Sequence, residues 1–273
     1  MQTTAKKRFG QHFLRDTGVL ERICRLIHAL PDEVIIEIGA GDGALSTRLA
    51  PRAHRLLAIE VDPDCLPSLE RALSPFPSAC IIPGDIMAMD IDTLAGEDLS
   101  AGRRLRAVGN LPYNIATAII QRLLGSQLPF ADMVFMVQLE VAERITARPG
   151  TRQYGLLSIL CQHRAGVHIA FKVSPSCFVP RPKVVSAIIR LLPSPGLRKP
   201  EVESCFVETA KAAFAHRRKT LANSLRRHPG FWTKTAELLE RAGIDGSRRP
   251  EDLTVQEYER LALTRLQRMA NHE

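Results

Sequence analysis

Long apolar runs and clustered cysteines are both missing from this sequence of 273 residues. No segment offers the run of about 18 apolar residues with which a helix crosses a membrane. No apolar stretch follows the basic residues within positions 1–8, so we expect no secretory signal. The six cysteines form no Cys-x-x-Cys pair, which argues against a zinc site or a disulfide framework. We therefore expect a cytoplasmic protein with reduced thiols, no membrane contact and no metal.

Acidic residues are the scarcer charged class. The chain has 37 Lys and Arg against 29 Asp and Glu, which gives a net charge of +8. Such a balance favours polyanionic partners such as nucleic acid without demonstrating one. The length allows one large domain or two smaller domains with real cores.

Residues 34–50 have the pattern of the first unit of a Rossmann-like sheet. Val34 to Ile38 is a predicted buried strand, a glycine turn follows, and residues 44–50 are predicted to be helical. Glycines let the backbone approach a ligand, and the helix N-terminus faces that ligand. We therefore predict a ligand site at Gly39 and Gly41, although their spacing also satisfies the loose dinucleotide fingerprint.

Two acidic residues end the next two predicted strands. Glu60 follows the second strand, and a carboxylate at that position can accept hydrogen bonds from both hydroxyls of a ribose. Asp85 follows a short third strand and can accept from an adenine amine. Taken singly, each is also compatible with an ordinary solvated acid at a strand end or turn.

The segment Gly109-Asn110-Leu111-Pro112-Tyr113-Asn114 follows another predicted strand. Pro112 takes the chain out of the sheet, and ligands of open α/β sheets bind where strands end in this way. The Asn110 side-chain oxygen and the Leu111 carbonyl can accept the hydrogens of an exocyclic amine, and Tyr113 can stack on its ring. The structural alternative is a strand-ending turn in which Tyr113 belongs to the core.

A proline-stiffened loop joins two later predicted strands, residues 167–173 and 184–192. This loop carries Phe178, which either anchors the loop in the core or offers a second stacking face to a base.

The last third of the chain has a helical pattern and a basic run. We predict a linker at residues 193–200, where half of the residues are proline or glycine, between a domain of residues 1–192 and a domain of residues 201–273. A charge run is usually a solvated face, but no acidic residue interrupts this one. It lies on a predicted helical face that extends to Leu225, and its candidate phosphate contacts are Arg217, Arg218 and Lys219.

Together these motifs resemble the small-subunit ribosomal RNA adenine dimethyltransferases. The resemblance spans nearly the whole chain and includes Phe9-Gly10-Gln11…Phe13-Leu14, the glycine turn, the Asn110 motif, residues 180–190, and Phe214…Arg217-Arg218-Lys219…Asn223-Ser224-Leu225. It implies an α/β fold, with a Rossmann-like class I methyltransferase sheet of seven strands whose last hairpin is antiparallel, and a small all-helical C-terminal domain.

The resemblance also implies the chemistry. The expected methyl donor is S-adenosylmethionine, and the expected substrate is two adjacent adenosines near the 3′ end of small-subunit ribosomal RNA, each methylated twice. The implied partner is a pre-ribosomal particle, and we expect the enzyme to be a monomer.

The resemblance carries site residues over by position. The catalytic set falls on Asn110, Leu111, Pro112 and Tyr113, with Phe178 as the possible second stacking face. Donor contacts fall on His12, Leu14, Gly39, Gly41, Glu60, Asp85 and Asn110. Position 12 departs from the family, which usually has asparagine there. A histidine can donate from a ring nitrogen, but its reach differs.

Three alternatives compete with this interpretation. A nicotinamide-dependent dehydrogenase explains the glycine turn and Glu60 but not the Asn110 motif or the basic helical tail. A non-catalytic ribosome-assembly factor could dispense with the pocket. A large-subunit rRNA adenine methyltransferase is the nearest alternative, and the match in the C-terminal segment disfavours it.

Overall fold

The computed structural model describes residues 12–194, 199–216, 218–231 and 235–270. These residues form two compact units. The first contains the chain up to Ala142 together with Ala165–Pro193, and the second contains Glu143–Arg164 together with the chain from Ser194 onward.

A seven-stranded mixed sheet is the centre of the first unit. Its strands are β2 (Val34–Ile38), β3 (Arg55–Glu60), β4 (Ala79–Pro83), β5 (Leu105–Asn110), β6 (Phe130–Gln138), β7 (Ala165–Val173) and β9 (Ser186–Pro193). They lie in the order β4-β3-β2-β5-β6-β9-β7. The first five strands of this order are parallel, and the last two are each antiparallel to their neighbours. This arrangement is the predicted sheet with its antiparallel hairpin.

Helices accompany the sheet because their apolar faces have to be buried. The first helix begins after Asp16, whose side chain accepts a hydrogen bond from the Val19 amide at 2.8 Å and so caps a free N–H group. Leu20, Ile23 and Ile27 recur at helical spacing and are all buried. The helices of this unit are α1 (Thr17–Ile27), α2 (Ser46–Leu49), α3 (Leu66–Leu73), α4 (Gly96–Ser100) and α5 (Ala116–Gly125).

A two-stranded ribbon ties the start of the described chain to the hairpin loop. It pairs β1 (Phe13–Leu14) with β8 (Phe178–Val179) in antiparallel register, with Leu14 opposite Phe178. Both of these side chains belong to the buried core of the first unit. The ribbon therefore fixes residues 12–14 beside the sheet.

The second unit is helical. Its core combines Phe206, Leu225 and Tyr258 with Tyr154 and Ile159 from the earlier segment. Its helices are α7 (Leu156–Arg164), α8 (Pro200–Phe214), α9 (Leu221–Leu225), α10 (Thr235–Arg241) and α11 (Val255–Ala270), and α6 (Leu139–Ile145) lies where the sequence passes between the units. Short 3₁₀ turns occupy Ala50–Arg52, Ile91–Thr93, Pro175–Cys177, Pro229–Phe231 and Pro250–Asp252.

The segment Glu143–Arg164 belongs to a different unit from the one that the sequence-based boundary gives it. The prediction kept this segment in the domain of residues 1–192, whereas the structure groups it with the C-terminal helices. The reason is apolar packing of Ile159, together with a hydrogen bond of 2.9 Å from the Tyr154 hydroxyl to the Leu253 carbonyl. The start of the C-terminal helices, by contrast, lies close to the predicted linker.

Among the described helices, none combines the length and the apolar character that a membrane span requires.

Candidate active site

A cavity of about 140 Å³ opens at the carboxyl ends of β2, β3 and β5. This edge is where the open α/β architecture leads us to expect a ligand. The polar groups of its lining come from five short segments: residues 12–14, the end of β2, the glycine turn, the end of β3, and the end of β5 with the residues that follow it.

The glycine turn brings backbone close to the cavity. Gly41 has a φ of +59°, and a β-carbon at this position would lie 3.1 Å from the Phe13 ring. At Gly109 a β-carbon would lie 2.4 Å from the Ile38 carbonyl oxygen, so no larger residue fits where β5 passes β2. Gly39 and Gly41, for which the sequence predicts a role in ligand binding, both line the cavity.

Glu60 is fixed by backbone donors. Its side chain is 5 % exposed, and its two oxygens accept from the Gly41 amide at 2.7 Å and the Asp62 amide at 2.8 Å. Burial raises the pKa of Glu60, and these backbone hydrogen bonds oppose the shift. Because a carboxylate can accept about four hydrogen bonds, Glu60 keeps acceptor capacity for a ligand in the cavity.

Glu37 also lines the cavity, and the sequence did not single it out. Its side chain is 2 % exposed, and its Oε2 atom has no hydrogen-bond partner. Burial raises its pKa to about 8; the Ser46 side chain opposes that shift and the charge of Glu60 adds to it. The available signal was an acidic residue inside the otherwise apolar strand Val-Ile-Ile-Glu-Ile, directly before the glycine turn.

Asn110 is oriented by the backbone of the N-terminal segment. Its Nδ2 atom donates to the His12 carbonyl oxygen at 2.8 Å. Because this contact uses the amide nitrogen, the amide oxygen is the group that Asn110 can offer to a ligand. Leu111 and Pro112, which follow it, also line the cavity.

Tyr113 is held at its hydroxyl and on one face of its ring. Its hydroxyl lies 2.7 Å from the Ser186 hydroxyl, and burial raises its pKa, so the phenol stays neutral. The His12 ring stacks on it with centroids 5.4 Å apart and an interplanar angle of 29°. His12 Nδ1 lies 2.8 Å from the Pro180 carbonyl oxygen and therefore acts as the donor. One side of Tyr113 is thus occupied by a histidine of the chain itself.

Two residues of the predicted site lie elsewhere. Phe178 is 1 % exposed and packs in the core, so it anchors the hairpin loop in this structure and does not form a second stacking face. Asp85 is exposed at the end of β4, where its side chain accepts from the Met87 amide at 2.8 Å, and it is not part of the cavity lining. Leu14, for which the resemblance implies a donor contact, lines the cavity.

The basic run is not helical throughout. Helix α8 ends at Phe214 and α9 begins at Leu221, and Arg218 between them has a φ of +64°. Arg218 and Lys219 are exposed, whereas Arg217 lies outside the described residues. The expectation of one continuous helix is wrong here because the chain turns, and Thr220 then caps α9 through the Asn223 amide.

The site combines an oriented amide, an aromatic ring and two buried carboxyls. Within the described part of the chain, no group of three His, Cys, Asp or Glu residues is placed to hold a metal ion. A five-stranded parallel core, an antiparallel closing hairpin and this cavity at the strand ends define a class I methyltransferase.

Comparison with known proteins identifies the family. A family model described as ribosomal RNA adenine dimethylase matches residues 2–264, and the chain belongs to that family. The predicted enzyme class, an rRNA adenine dimethyltransferase, is therefore confirmed.

Curated relatives match most of the chain. It is 44% identical to the ribosomal RNA small subunit methyltransferase A of Chromohalobacter salexigens, covering 94% of this chain and 90% of the relative. It is 40% identical to the protein of the same name from Pediococcus pentosaceus, with 94% and 89% covered.

Solved structures agree with the fold. A dimethyladenosine transferase from Plasmodium falciparum gives a TM-score of 0.79 at 23% identity, covering 92% of this chain and 96% of that one. The 23S rRNA methyltransferase ErmE gives a TM-score of 0.71 at 26% identity, covering 92% and 98%.

Proposed function

We propose that the protein transfers methyl groups from S-adenosylmethionine to the exocyclic amines of two adjacent adenosines near the 3′ end of small-subunit ribosomal RNA. Relatives named for the small subunit are 40% and 44% identical to this chain, whereas the 23S rRNA enzyme is 26% identical. The observation that carries the proposal is the Asn110 amide, which His12 orients beside the Tyr113 ring in a strand-end cavity.

The cavity residues suit the proposed donor. Glu60 can accept from ribose hydroxyls, and the glycine turn leaves room for the backbone to approach the nucleoside. Glu37 adds a buried carboxyl oxygen without a partner, which suits a cationic ligand. Further proposed donor contacts are His12, Leu14, Gly39, Gly41 and Asn110, and Asp85 is retained on the family resemblance alone. When bound, S-adenosylmethionine supplies an electrophilic methyl group on a sulfonium.

The chain's own residues prepare the target amine. The Asn110 oxygen and the Leu111 carbonyl accept its two hydrogens and draw them out of the ring plane, which frees the nitrogen lone pair. Tyr113 fixes the adenine ring. Holding both reactants in line can supply on the order of 7 kcal/mol of barrier reduction. No strong base is needed, since the amine becomes acidic as its nitrogen gains positive character. The target base has to leave any stack to reach the site.

Methyl transfer with mapping tests the proposal. Undermethylated small subunits and, separately, large subunits are incubated with tritiated S-adenosylmethionine, and the modified bases are located. We expect label in two adjacent adenosines of the small-subunit RNA. Label confined to large-subunit RNA, or none in either particle, would overturn the proposal.

We also propose that Arg217, Arg218 and Lys219 contact RNA phosphates. Arg218 and Lys219 are exposed and their run contains no acidic residue, which suits contacts that position RNA without reading its bases. The proposed partner is a pre-ribosomal particle in the cytoplasm, which the protein binds as a monomer.

A charge-reversal pair tests this basic surface. Arg218→Glu with Lys219→Glu should weaken particle binding and reduce the magnitude of the salt slope by about 0.7–0.9 per lost contact. Donor affinity should not change. Arg71→Glu with Lys172→Glu is a control matched in charge, because both of these residues are exposed elsewhere. Equal slopes for the two variants would make the run a solvated face.

A further inference from the structure

The charge of the cavity lining is one-sided. Three carboxyls line it, Glu37, Asp42 and Glu60, and no Lys or Arg is among the described residues of the lining. Asp42 is already paired, because Arg15 Nη2 lies 2.6 Å from its Oδ2 atom. Glu60 is held by two backbone amides. Glu37 is therefore the carboxyl with an oxygen left over.

Among the described residues, the groups that act on Glu37 do not supply a positive charge. They are Glu60 at the end of β3 and the neutral Ser46 of α2, and the third carboxyl of the lining is Asp42 in the glycine turn. The remaining titratable groups of the lining are His12 and Tyr113, which contact each other. A buried carboxylate without a cationic partner is unfavourable, so such a group keeps its proton, and the Ser46 side chain offsets only part of this penalty. The pKa of about 8 for Glu37 agrees with this geometry.

A cation that enters the cavity would reverse this preference. A positive ligand charge next to Glu37 favours the carboxylate, because opposite charges attract strongly in a site shielded from water. A carboxyl that stayed protonated would leave that positive charge buried without a counterion. S-adenosylmethionine, the donor of the proposed function on which this inference rests, carries a sulfonium and an ammonium group.

We propose that donor binding is coupled to the ionisation of Glu37. In the ligand-free site the Glu37 carboxyl keeps its proton; when the cationic donor binds, the O–H bond breaks, the carboxylate stays as counterion to the ligand, and the proton goes to solvent. Donor affinity therefore rises with pH up to about 8, the pKa of the ligand-free group. The rise is at most about tenfold per pH unit, since one proton is released per ligand. Above that pH the affinity levels off.

Calorimetry in two buffers measures the proton directly. Binding of S-adenosylmethionine near pH 7 is titrated in phosphate and in Tris, whose ionisation enthalpies differ, and the difference in binding enthalpy gives the number of protons released. We expect the wild-type enzyme to release nearly one proton more than Glu37→Gln, and this difference cancels any proton exchanged by the ligand itself. Asp42→Asn is the matched control and should release as many protons as the wild type.

Two further ligands identify the cation. S-adenosylhomocysteine keeps the ammonium and lacks the sulfonium, so release of a Glu37 proton with it assigns the coupling to the ammonium, and release with S-adenosylmethionine alone assigns it to the sulfonium. Methylthioadenosine, which lacks the amino-acid part and is uncharged, should release no Glu37 proton. Equal release with this neutral ligand would overturn the proposal.

The remaining outcomes distinguish a failure of the Glu37 coupling from a failure of the proposed function. If S-adenosylmethionine binds but wild type and Glu37→Gln release equal numbers of protons, the coupling is wrong and the proposed function stands. If S-adenosylmethionine does not bind at all, both fail. Should Glu37→Gln not fold, the wild-type affinity series from about pH 6 to about pH 8 decides, because a flat series overturns the coupling.

Discussion

A buried carboxyl lies near each end of strand β2, and the pKa values of the two groups are shifted in opposite directions. Glu33, just before the strand, is 0 % exposed and receives two hydrogen bonds from Arg106, at 2.7 Å to Oε2 and 2.9 Å to Oε1. Burial by itself would raise its pKa, but the hydrogen bonds from Arg106 and from the Leu30 amide leave the pKa lowered. Glu37, four residues later, has a raised pKa and an unpartnered oxygen.

The paired carboxyl belongs to a larger network at the amino ends of the strands. Arg106 Nη1 lies 2.7 Å from Asp132 Oδ1, and Arg190 Nη2 lies 2.6 Å from Asp132 Oδ2. At this edge each charge is neutralised within the protein. At the cavity edge Asp42 is paired with Arg15, but no Lys or Arg is among the described lining residues to neutralise Glu37 and Glu60. This arrangement suits a cationic ligand. The same sheet thus uses one edge for stability and the other for binding.

The largest loss of stability should come from breaking the ion pairs of Arg106 with Glu33 and Asp132, at the amino ends of the strands (the paired edge). Arg106→Met leaves Glu33 and Asp132 buried without their main cation, which commonly costs about 3–5 kcal/mol. We expect urea denaturation of the ligand-free protein to show a loss of this size. Arg104→Met is the matched control: Arg104 is 57 % exposed and lies 3.5 Å from Glu33, so it should cost less than about 1 kcal/mol. Equal losses for the two variants would contradict the assignment.

At the cavity edge, Asn110→Ala should affect the rate of methyl transfer and not stability. It removes an acceptor that acts on the amine as the methyl group moves, and the loss of one such contact costs about 100-fold or more in rate. Donor affinity and the free energy of unfolding should change far less. The measurement is single-turnover methyl transfer beside donor titration. Arg106→Met provides the crossed control, because its folded fraction should turn over normally. Near-normal turnover of Asn110→Ala would remove the residue from the catalytic set.

The sequence could indicate the cavity edge because several of its residues lie at, or just after, the carboxyl ends of successive predicted strands. Glu60 and Asn110 end apolar strands, Gly41 and Tyr113 lie in the turns that follow strands, and all four line the cavity. Glu37 was missed because it lies inside an apolar run, where the pattern marks only a buried strand. The predicted strand number and the antiparallel hairpin followed from the family resemblance, and the structure has both.

The paired edge could not be predicted from the sequence. Arg106 and Glu33 meet because β2 and β5 are neighbours in parallel register, and hydrophobic periodicity carries no information on which strands pair. The same limit explains Phe178: its burial depends on the β1–β8 ribbon, a pairing over long sequence separation that no local pattern indicates. Glu143–Arg164 joins the helical unit through equally distant contacts.

Glu60 allows a sharper test, because it is satisfied inside the protein and is still proposed to bind ligand. Glu60→Ala removes the shared acceptor of two ribose hydroxyls, and hydrogen bonds to a charged group contribute roughly 1.5–3 kcal/mol. We expect calorimetry to show donor affinity weakened accordingly. Glu70→Ala, an exposed acid on α3, should have no effect. Unchanged affinity in Glu60→Ala would remove it from the site.

The smallest effect, when it is counted per pH unit, should separate Glu33 from Glu37 by the sign of their pH dependence. The pKa of Glu37 is about 8 in the folded protein against an ordinary 4.5, so between these values the native state holds a proton that the unfolded state lacks. The free energy of unfolding should fall as pH rises through this window, by at most about 1.4 kcal/mol per pH unit from this group. Glu37→Gln should remove that slope.

Glu33 should give the opposite signature. Its pKa is lowered in the folded protein, so its contribution to stability is present above the ordinary value of 4.5 and is lost as pH falls through the folded value. Urea denaturation of the ligand-free wild type, Glu37→Gln and Glu33→Gln from about pH 4 to about pH 8 measures both. Glu37→Gln should diverge from the wild type on the alkaline side, because the wild type alone loses stability there, and Glu33→Gln should differ from it least on the acid side. Parallel curves for the wild type and Glu37→Gln would show that the Glu37 carboxyl is already ionised in the empty site, and the contrast between the two ends of β2 would then be one of hydrogen bonding alone.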